Sequence, residues 1–334
     1  MRFTKSLFCC VMLGGCFLFA QEALAQQYPV FSQYYFNELV INPAYAGSHV
    51  QLSLNSTYRN QWVNFPGAPR TLSFTGHTSL VNGRVGVGML VNTDRIGSYN
   101  NQNVYGYYSY RLHLNQGVLS MGLQAGFNFL GADFSKLDLV DPTDPSFSLA
   151  RDFKPNFGAG LYYSKQNYFL GFSVPFLLNN SIPNSVEGSL DQISEARYYF
   201  LRGGAIFPVN MAKTVKFNPS VLARAQEGQP MSFDFNAGFI FYDAMSVGAS
   251  WRSGDAIITF VDFKISEKFY FAYSYDWTSS NLRRFSNGTH EFMINYRAKI
   301  KKVHEKLPCP TYYHYGTLEA VKIKKNKRYN SKRQ

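Results

Sequence analysis

The chain is short of cysteine, of charge and of long apolar runs. Three of its four cysteines, Cys9, Cys10 and Cys16, fall at the extreme N-terminus, so a chain trimmed there keeps Cys309 alone. That excludes an internal disulfide framework and a cysteine-based zinc site. Cys309 stands between Pro308 and Pro310 and reads as an exposed thiol or, second, as half of an intermolecular disulfide. The six histidines, His49, His77, His113, His290, His304 and His314, show no metal spacing such as H-E-x-x-H. Charged residues are 16% of 334 against 46% hydrophobic, which is too apolar for a disordered chain. After residue 25 no apolar run reaches the roughly 20 residues a spanning helix needs, so a helical membrane protein is excluded.

Aromatics and glycine are abundant instead, with 30 Phe, 24 Tyr and 26 Gly at a mean hydropathy of -0.21. From residue 50 onward the pattern has period two. Leu119, Met121, Leu123, Ala125, Phe127 and Phe129 alternate with Ser120, Gly122, Gln124, Gly126 and Asn128. Phe269, Phe271, Tyr273, Tyr275 and Trp277 do the same against Tyr270, Ala272, Ser274 and Asp276. Strand side chains point to opposite faces in turn, so each segment has one oily and one wet face. Fourteen such segments are expected, at 50–59, 70–80, 84–93, 102–114, 118–130, 155–164, 167–176, 196–207, 215–225, 231–242, 245–252, 255–264, 267–277 and 288–299. Several have the about 9–11 residues that a tilted strand needs to cross a bilayer, longer than the strands of most soluble sandwiches. The predicted fold is therefore all-β: a transmembrane antiparallel β-barrel of about 14 strands, closed because hydrocarbon tolerates no open sheet edge.

The first 25 residues read as an export signal. Arg2 and Lys5 precede an apolar stretch, and Ala23-Leu24-Ala25 is a cleavage pattern. Leu13-Gly14-Gly15-Cys16 has the form of a lipoprotein box and is the competing reading. At the other end, residues 300–334 form a basic tail that carries most of the +12 net charge. Such a tail reads first as a solvated end and second as a contact for an acidic partner. No nucleic-acid partner is expected.

Between the signal and the first strand, residues 26–49 read as a plug segment. Phe31, Tyr34, Tyr35 and Leu39 fall at helical spacing, Ser32 is a candidate cap and Asn42-Pro43 a candidate stop. The inward positions include Arg59, Arg111, Arg202, Arg224, Arg252 and Arg297, with Asp234, Asp276 and Glu291. An anion or acidic peptide could be drawn to the arginines; pairing with those acids and the plug is the preferred reading. Connections after even-numbered strands are tight, as at Asn82-Gly83, Asn115-Gln116 and Asp243-Ala244, whereas 60–69, 131–154, 177–195 and 278–287 are long. Short periplasmic turns and long outer loops place the barrel in the cell outer membrane as an integral protein with N- and C-termini periplasmic.

Catalysis finds little support. A hydrolase pairing His77 or His113 with Ser79 or Asp94 requires hydrogen-bond reach that spacing alone does not give. Gly86 and Gly88 read as small inward residues rather than a phosphate loop. Asn55-Ser56-Thr57 and Asn287-Gly288-Thr289 match glycosylation acceptors by chance.

Phe31-Ser32-Gln33-Tyr34-Tyr35 followed by Asn42-Pro43-Ala44-Tyr45-Ala46-Gly47 resembles the opening signature of the PorP/SprF family. The likeness continues through Tyr58-Arg59-Asn60-Gln61-Trp62, Pro66-Gly67-Ala68-Pro69-Arg70-Thr71 and Asn92-Thr93-Asp94-Arg95-Ile96-Gly97, and covers roughly residues 28–298. The resemblance implies an outer-membrane protein of the type IX secretion system in Bacteroidota, with no enzyme activity and no cofactor. It implies as partners periplasmic ring or peptidoglycan-linked subunits and secreted cargo such as gliding adhesins, beside outer-membrane lipid. The candidate partner-binding residues are Asn42, Pro43, Tyr45 and Gly47 at the plug, and Lys322, Lys324, Lys325, Lys327 and Arg328 in the tail. The runner-up function is a fatty-acid-channel-like transporter of small or hydrophobic solutes.

Overall fold

The computed structural model describes residues 25–26, 30–49, 51–81, 83–114, 117–132, 150–179, 181–182, 193–195 and 197–298. The signal before Ala25, the centres of the two longest loops, Cys309 and the whole basic tail lie outside the described residues. The barrel strands are β1 Leu52–Asn60, β2 Arg70–Leu80, β3 Val85–Ile96, β4 Tyr99–His113, β5 Val118–Ala132, β6 Ala150–Lys165 and β7 Tyr168–Val174. They continue as β8 Tyr198–Ala205, β9 Val215–Gln226, β10 Ser232–Phe241, β11 Met245–Arg252, β12 Ala256–Lys264, β13 Phe269–Thr278 and β14 Thr289–Ala298. Each pairs antiparallel with both neighbours, and the ring closes where β14 meets β1, from His290–Asn60 to Ala298–Leu52.

The polarity of the wall is inverted relative to a soluble protein. Leu72, Phe74, Leu123, Phe157, Leu170, Leu201, Trp251, Ile257 and Ile294 are exposed on the outside. Ser73, Thr75, Gln124, Asn156, Ser173, Asn236, Ser250, Ser274 and Asn295 are buried on the inside. Only a surround less polar than water reconciles the two, so the outer face is built for lipid. Trp251 and Trp277 face out near the long-loop end and Tyr242 near the tight-turn end, the places amphipathic rings take at a membrane boundary.

All fourteen expected strands are present, with shifted ends. β3 and β4 run on to Ile96 and Tyr99, and β6 begins at Ala150, because polar residues such as Asp94, Asn100 and Asn101 continue the ladder past the oily belt. β7 stops before Pro175, which has no N–H to donate. Outside the ring, Ala25–Gln26 lies parallel to Ile193–Glu195, which pairs with Ser181–Ile182.

The bore is occupied by residues 30–49. Here the expected helix is two 3-10 turns, Glu38–Val40 and Pro43–Tyr45, and Asn42-Pro43 opens the second rather than stopping the first. The Ala44 N–H donates to Asn42 Oδ1 at 2.9 Å, and proline fits the first turn, where its missing N–H is not needed. Ser32 caps no helix; it is bonded to the wall.

The segment threads the barrel lengthwise. Val30 and Phe31 lie against Tyr198, Leu222 and Arg224 at the long-loop end, whereas Gly47 packs on Gly86 and Thr78 at the tight-turn end. Residue 30 and Ala298 stand at opposite ends of the barrel, because a strap through the bore enters at one mouth and leaves at the other. In oriented vesicles of a Cys309→Ser background, Val30→Cys and Ser266→Cys should label with an impermeant thiol reagent from opposite faces. Labelling from the same face would refute the threading.

Candidate functional site: a plug seated on a glycine-lined wall

The tight-turn half of the plug is a hook, Asn42-Pro43-Ala44-Tyr45-Ala46-Gly47, pressed against β3, β5 and β6. Three wall glycines make room for it. A Cβ on Gly122 would collide with the Ala44 amide, one on Gly160 with Asn42 Oδ1, and one on Gly86 with the Ala46 carbonyl. Gly47 turns the chain at φ +70°, a left-handed conformation that glycine adopts freely.

Wall side chains then meet the plug's backbone groups. Ser173 Oγ donates to the Ile41 carbonyl at 2.6 Å, Ser109 Oγ to the Ala46 carbonyl at 2.7 Å and Arg111 Nη1 to the Gly47 carbonyl at 2.5 Å. The Gly47 N–H donates to His77 Nδ1 at 3.2 Å, and Asn42 Nδ2 donates to the Leu161 carbonyl at 3.0 Å. Tyr45 is fully buried, its hydroxyl 3.2 Å from His49 Nε2, and its ring packs edge-on against His77 and Tyr162.

Charge fixes the long-loop half. The Arg59 guanidinium bridges Asp276 and Glu291, at 2.8 Å to each. Glu291 in turn accepts the Ser32 and Gln33 N–H groups at 2.8 and 2.9 Å, and Ser32 Oγ donates to Asp276 at 2.7 Å. Midway, Glu38 pairs with Arg202, whose guanidinium also lies over the rings of Tyr34 and Phe169. Asn37 Nδ2 donates to Thr75 Oγ1 at 2.8 Å, and Asn236 Nδ2 to the Tyr34 hydroxyl at 2.8 Å. Arg252 holds Asp234 through two nitrogens at 3.0–3.2 Å. Arg59, Arg202 and Arg252 are thus met by acids and Arg111 by the plug, whereas Arg224 Nη2 donates to Ser232 Oγ at 3.0 Å and Arg297 Nε to Asn295 Oδ1 at 2.8 Å.

A family model described as type IX secretion system membrane protein PorP/SprF matches residues 23–296. The chain belongs to the PorP/SprF family. No curated protein matches it. Among solved structures it is similar to the Acinetobacter baumannii outer membrane protein Omp33, at 8% identity and TM-score 0.42, over 75% of this chain and 99% of that one. It is also similar to the TodX deltaS2S3 mutant monoaromatic hydrocarbon channel, at 10% identity and TM-score 0.41, over 78% of this chain and 94% of that one. The beta domain of the Bordetella autotransporter BrkA is a third, at 11% identity and TM-score 0.36, over 75% and 99%.

In this PorP/SprF protein the plug residues singled out from sequence, Asn42, Pro43, Tyr45 and Gly47, come together inside the barrel, all buried. The tail residues, Lys322 to Arg328, lie outside the described residues. Family and fold are those of a secretion membrane protein rather than an enzyme. His77 Nδ1 accepts from the Gly47 N–H, and Asp94 accepts from Thr71 Oγ1 at 2.5 Å, so these two groups already have partners. Sequence reasoning missed Glu38, Asn37 and Gln33 as plug anchors. An acid in an otherwise aromatic segment was the available signal.

Gly122→Val should unseat the hook, raising protease cleavage within residues 36–47 while Gly203→Ala, which touches no plug atom, leaves it protected. Arg59→Ala leaves Glu291 without its arginine and Asp276 with Arg252 alone, at 4.0 Å. It should weaken plug seating by about 3–5 kcal/mol, read as accelerated amide exchange of residues 31–36, and Arg59→Lys should not restore it, having no fork for two acids.

Proposed function

We propose that this PorP/SprF barrel serves type IX secretion as a closed anchor in the outer membrane rather than as the conduit for cargo. The observation that carries this reading is the plug, bonded to the wall from one mouth to the other through Glu291, Arg202, Ser173 and Arg111. A channel subunit would have to break these bonds at each passage. The same bonding weighs against the transporter of small solutes.

The anchor offers two surfaces. Its long loops face outward and meet secreted cargo such as adhesins, a side assigned from the contrast between tight turns and long connections. Its tail follows β14 on the tight-turn side, in the periplasm, where Lys322, Lys324, Lys325, Lys327 and Arg328 meet acidic faces of ring or peptidoglycan-linked subunits. Asn42, Pro43, Tyr45 and Gly47 act in partner contact indirectly, by fixing the plug and the tight-turn mouth it closes.

Deleting residues 300–334 should leave a heat-modifiable barrel in the membrane yet strongly reduce crosslinked recovery of periplasmic subunits. Unchanged recovery would reject the tail as a contact. Liposomes carrying the wild-type protein should take up a small sugar no faster than protein-free ones; rapid uptake would sink the closed-anchor reading.

A further inference from the structure

The loop between β1 and β2, residues 61–69, plays no part in the plug, yet it is firmly built. The Gln61 N–H donates to the Pro69 carbonyl at 3.0 Å, and the Gly97 N–H, from the β3–β4 turn, to the Gly67 carbonyl at 2.9 Å. On the other side Val63 and Gly288 share a 2.9 Å bond, and Asn287 returns one to Val63 at 2.9 Å. Trp62 and Asn64 are held at φ 47° and 72°. A bulky residue in that region is strained and persists only where its surroundings dictate it.

These pins frame a cleft of about 550 Å³ whose lining includes Trp62, Phe65, Asn60, Arg70 and Arg95. Three of the sequence motifs noted above, from β1, the β1–β2 loop and β3, converge there. Arg70 and Arg95 are register partners on adjacent strands, both exposed. Like charges placed directly opposite repel. Among the described residues no ion pair includes either of them, and the nearby Asp94 points into the bore toward Thr71.

Their direction decides the ligand. Arg70 shares the outward face with Leu72 and Phe74, and Arg95 shares it with Thr93 and Val91. The cross-strand row through them reads Tyr275, His290, Asn60, Arg70, Arg95, Asn100, without one aliphatic side chain. Two residues inward the row is Tyr273, Phe292, Tyr58, Leu72, Thr93, and two further Phe271, Ile294, Ser56, Phe74, Val91. Each step is about 7 Å along the strand, so the arginines sit one step above the oily belt, at headgroup depth. Guanidinium forks bind phosphate through paired, charge-assisted hydrogen bonds. An acyl chain from a molecule held there would lie down the wall over Leu72 and Phe74.

We propose that Arg70 and Arg95, under the loop carrying Trp62 and Phe65, form a binding site for the phosphate of a membrane lipid headgroup in the leaflet at the long-loop end. The proposal rests on the barrel's seat in a membrane and is independent of its role in secretion.

The test uses the full mature protein in phosphatidylcholine nanodiscs containing a small fraction of dioleoyl phosphatidic acid or, separately, dioleoylglycerol, with retained lipid read by native mass spectrometry. Wild type should retain phosphatidic acid and not dioleoylglycerol. Arg70→Gln/Arg95→Gln should lose it by at least about tenfold, the scale of losing charge-assisted bonds. Inorganic phosphate in millimolar excess should not displace it. Equal retention by wild type and the double variant would overturn the site, as would equal retention of dioleoylglycerol. Displacement by inorganic phosphate would overturn the lipid assignment in favour of a soluble anion. Heat-modifiability of the double variant on a gel verifies the closed barrel, and Arg70→Lys/Arg95→Lys should retain more lipid than the glutamine pair.

Discussion

In hydrocarbon a backbone N–H or C=O has no partner except another group of the protein, and each one left unmet is strongly unfavourable. Closure of the fourteen-strand ring answers that requirement for the wall, through the β14–β1 ladder. It creates the same problem inside, where a segment lacking regular secondary structure fills the bore. Residues 30–49 form only two short 3-10 turns, so most of their amides and carbonyls find no partner within the segment. Ser173, Ser109, Arg111, His77 and the Glu291 carboxylate supply partners for several of them, which explains why the inner wall is polar around the plug.

Two kinds of contact divide the work along the bore. At the hook, the absence of side chains on Gly86 and Gly122 lets backbone approach backbone and that on Gly160 admits the Asn42 amide, so fit depends on shape. At the long-loop half, buried ions set the position. Buried ion pairs add little net stability compared with apolar packing, but removing one member is strongly destabilising, so they fix register more than they add strength. Arg59 shows this, since the same guanidinium that joins β13 and β14 to β1 also contacts Ser32 of the plug at 2.9 Å.

Much of the wall was legible because its code has the simplest period. Alternation in Leu119–Phe129 or Phe269–Trp277 names both the strand and its lipid-facing side. The strand ends were less legible: Asp94 and Asn100 look like loop residues, yet a barrel that projects past the belt lets the ladder continue through them. The plug defeated periodicity in a different way. Phe31, Tyr34, Tyr35 and Leu39 are spaced as on a helix, but a segment surrounded by wall buries residues on every side and needs no single apolar stripe. Its anchors, Ser32, Gln33 and Glu38, are short-range anonymous polar residues whose partners lie far away in the chain, with Ser32 and Glu291 separated by 259 positions. Nothing local in the sequence announces such a pair.

That separation constrains assembly. Val30 lies at one mouth and Gly47 at the other, so the strap cannot be added after closure without drawing its N-terminal end the length of a crowded bore. The contacts of β14 on β1 are those with the greatest loop-closure entropy. Glu291 belongs to that last strand and Arg59 to the first, and both bind Ser32. The plug is therefore a third party to the closing seam. Its N-terminal half brings a hydroxyl and two amides to the point where the ends of the sheet meet, turning two buried carboxylates and a guanidinium from a penalty into a clasp. A barrel closed without the strap would bury those acids with fewer partners, which ties the filling of the bore to the sealing of the wall.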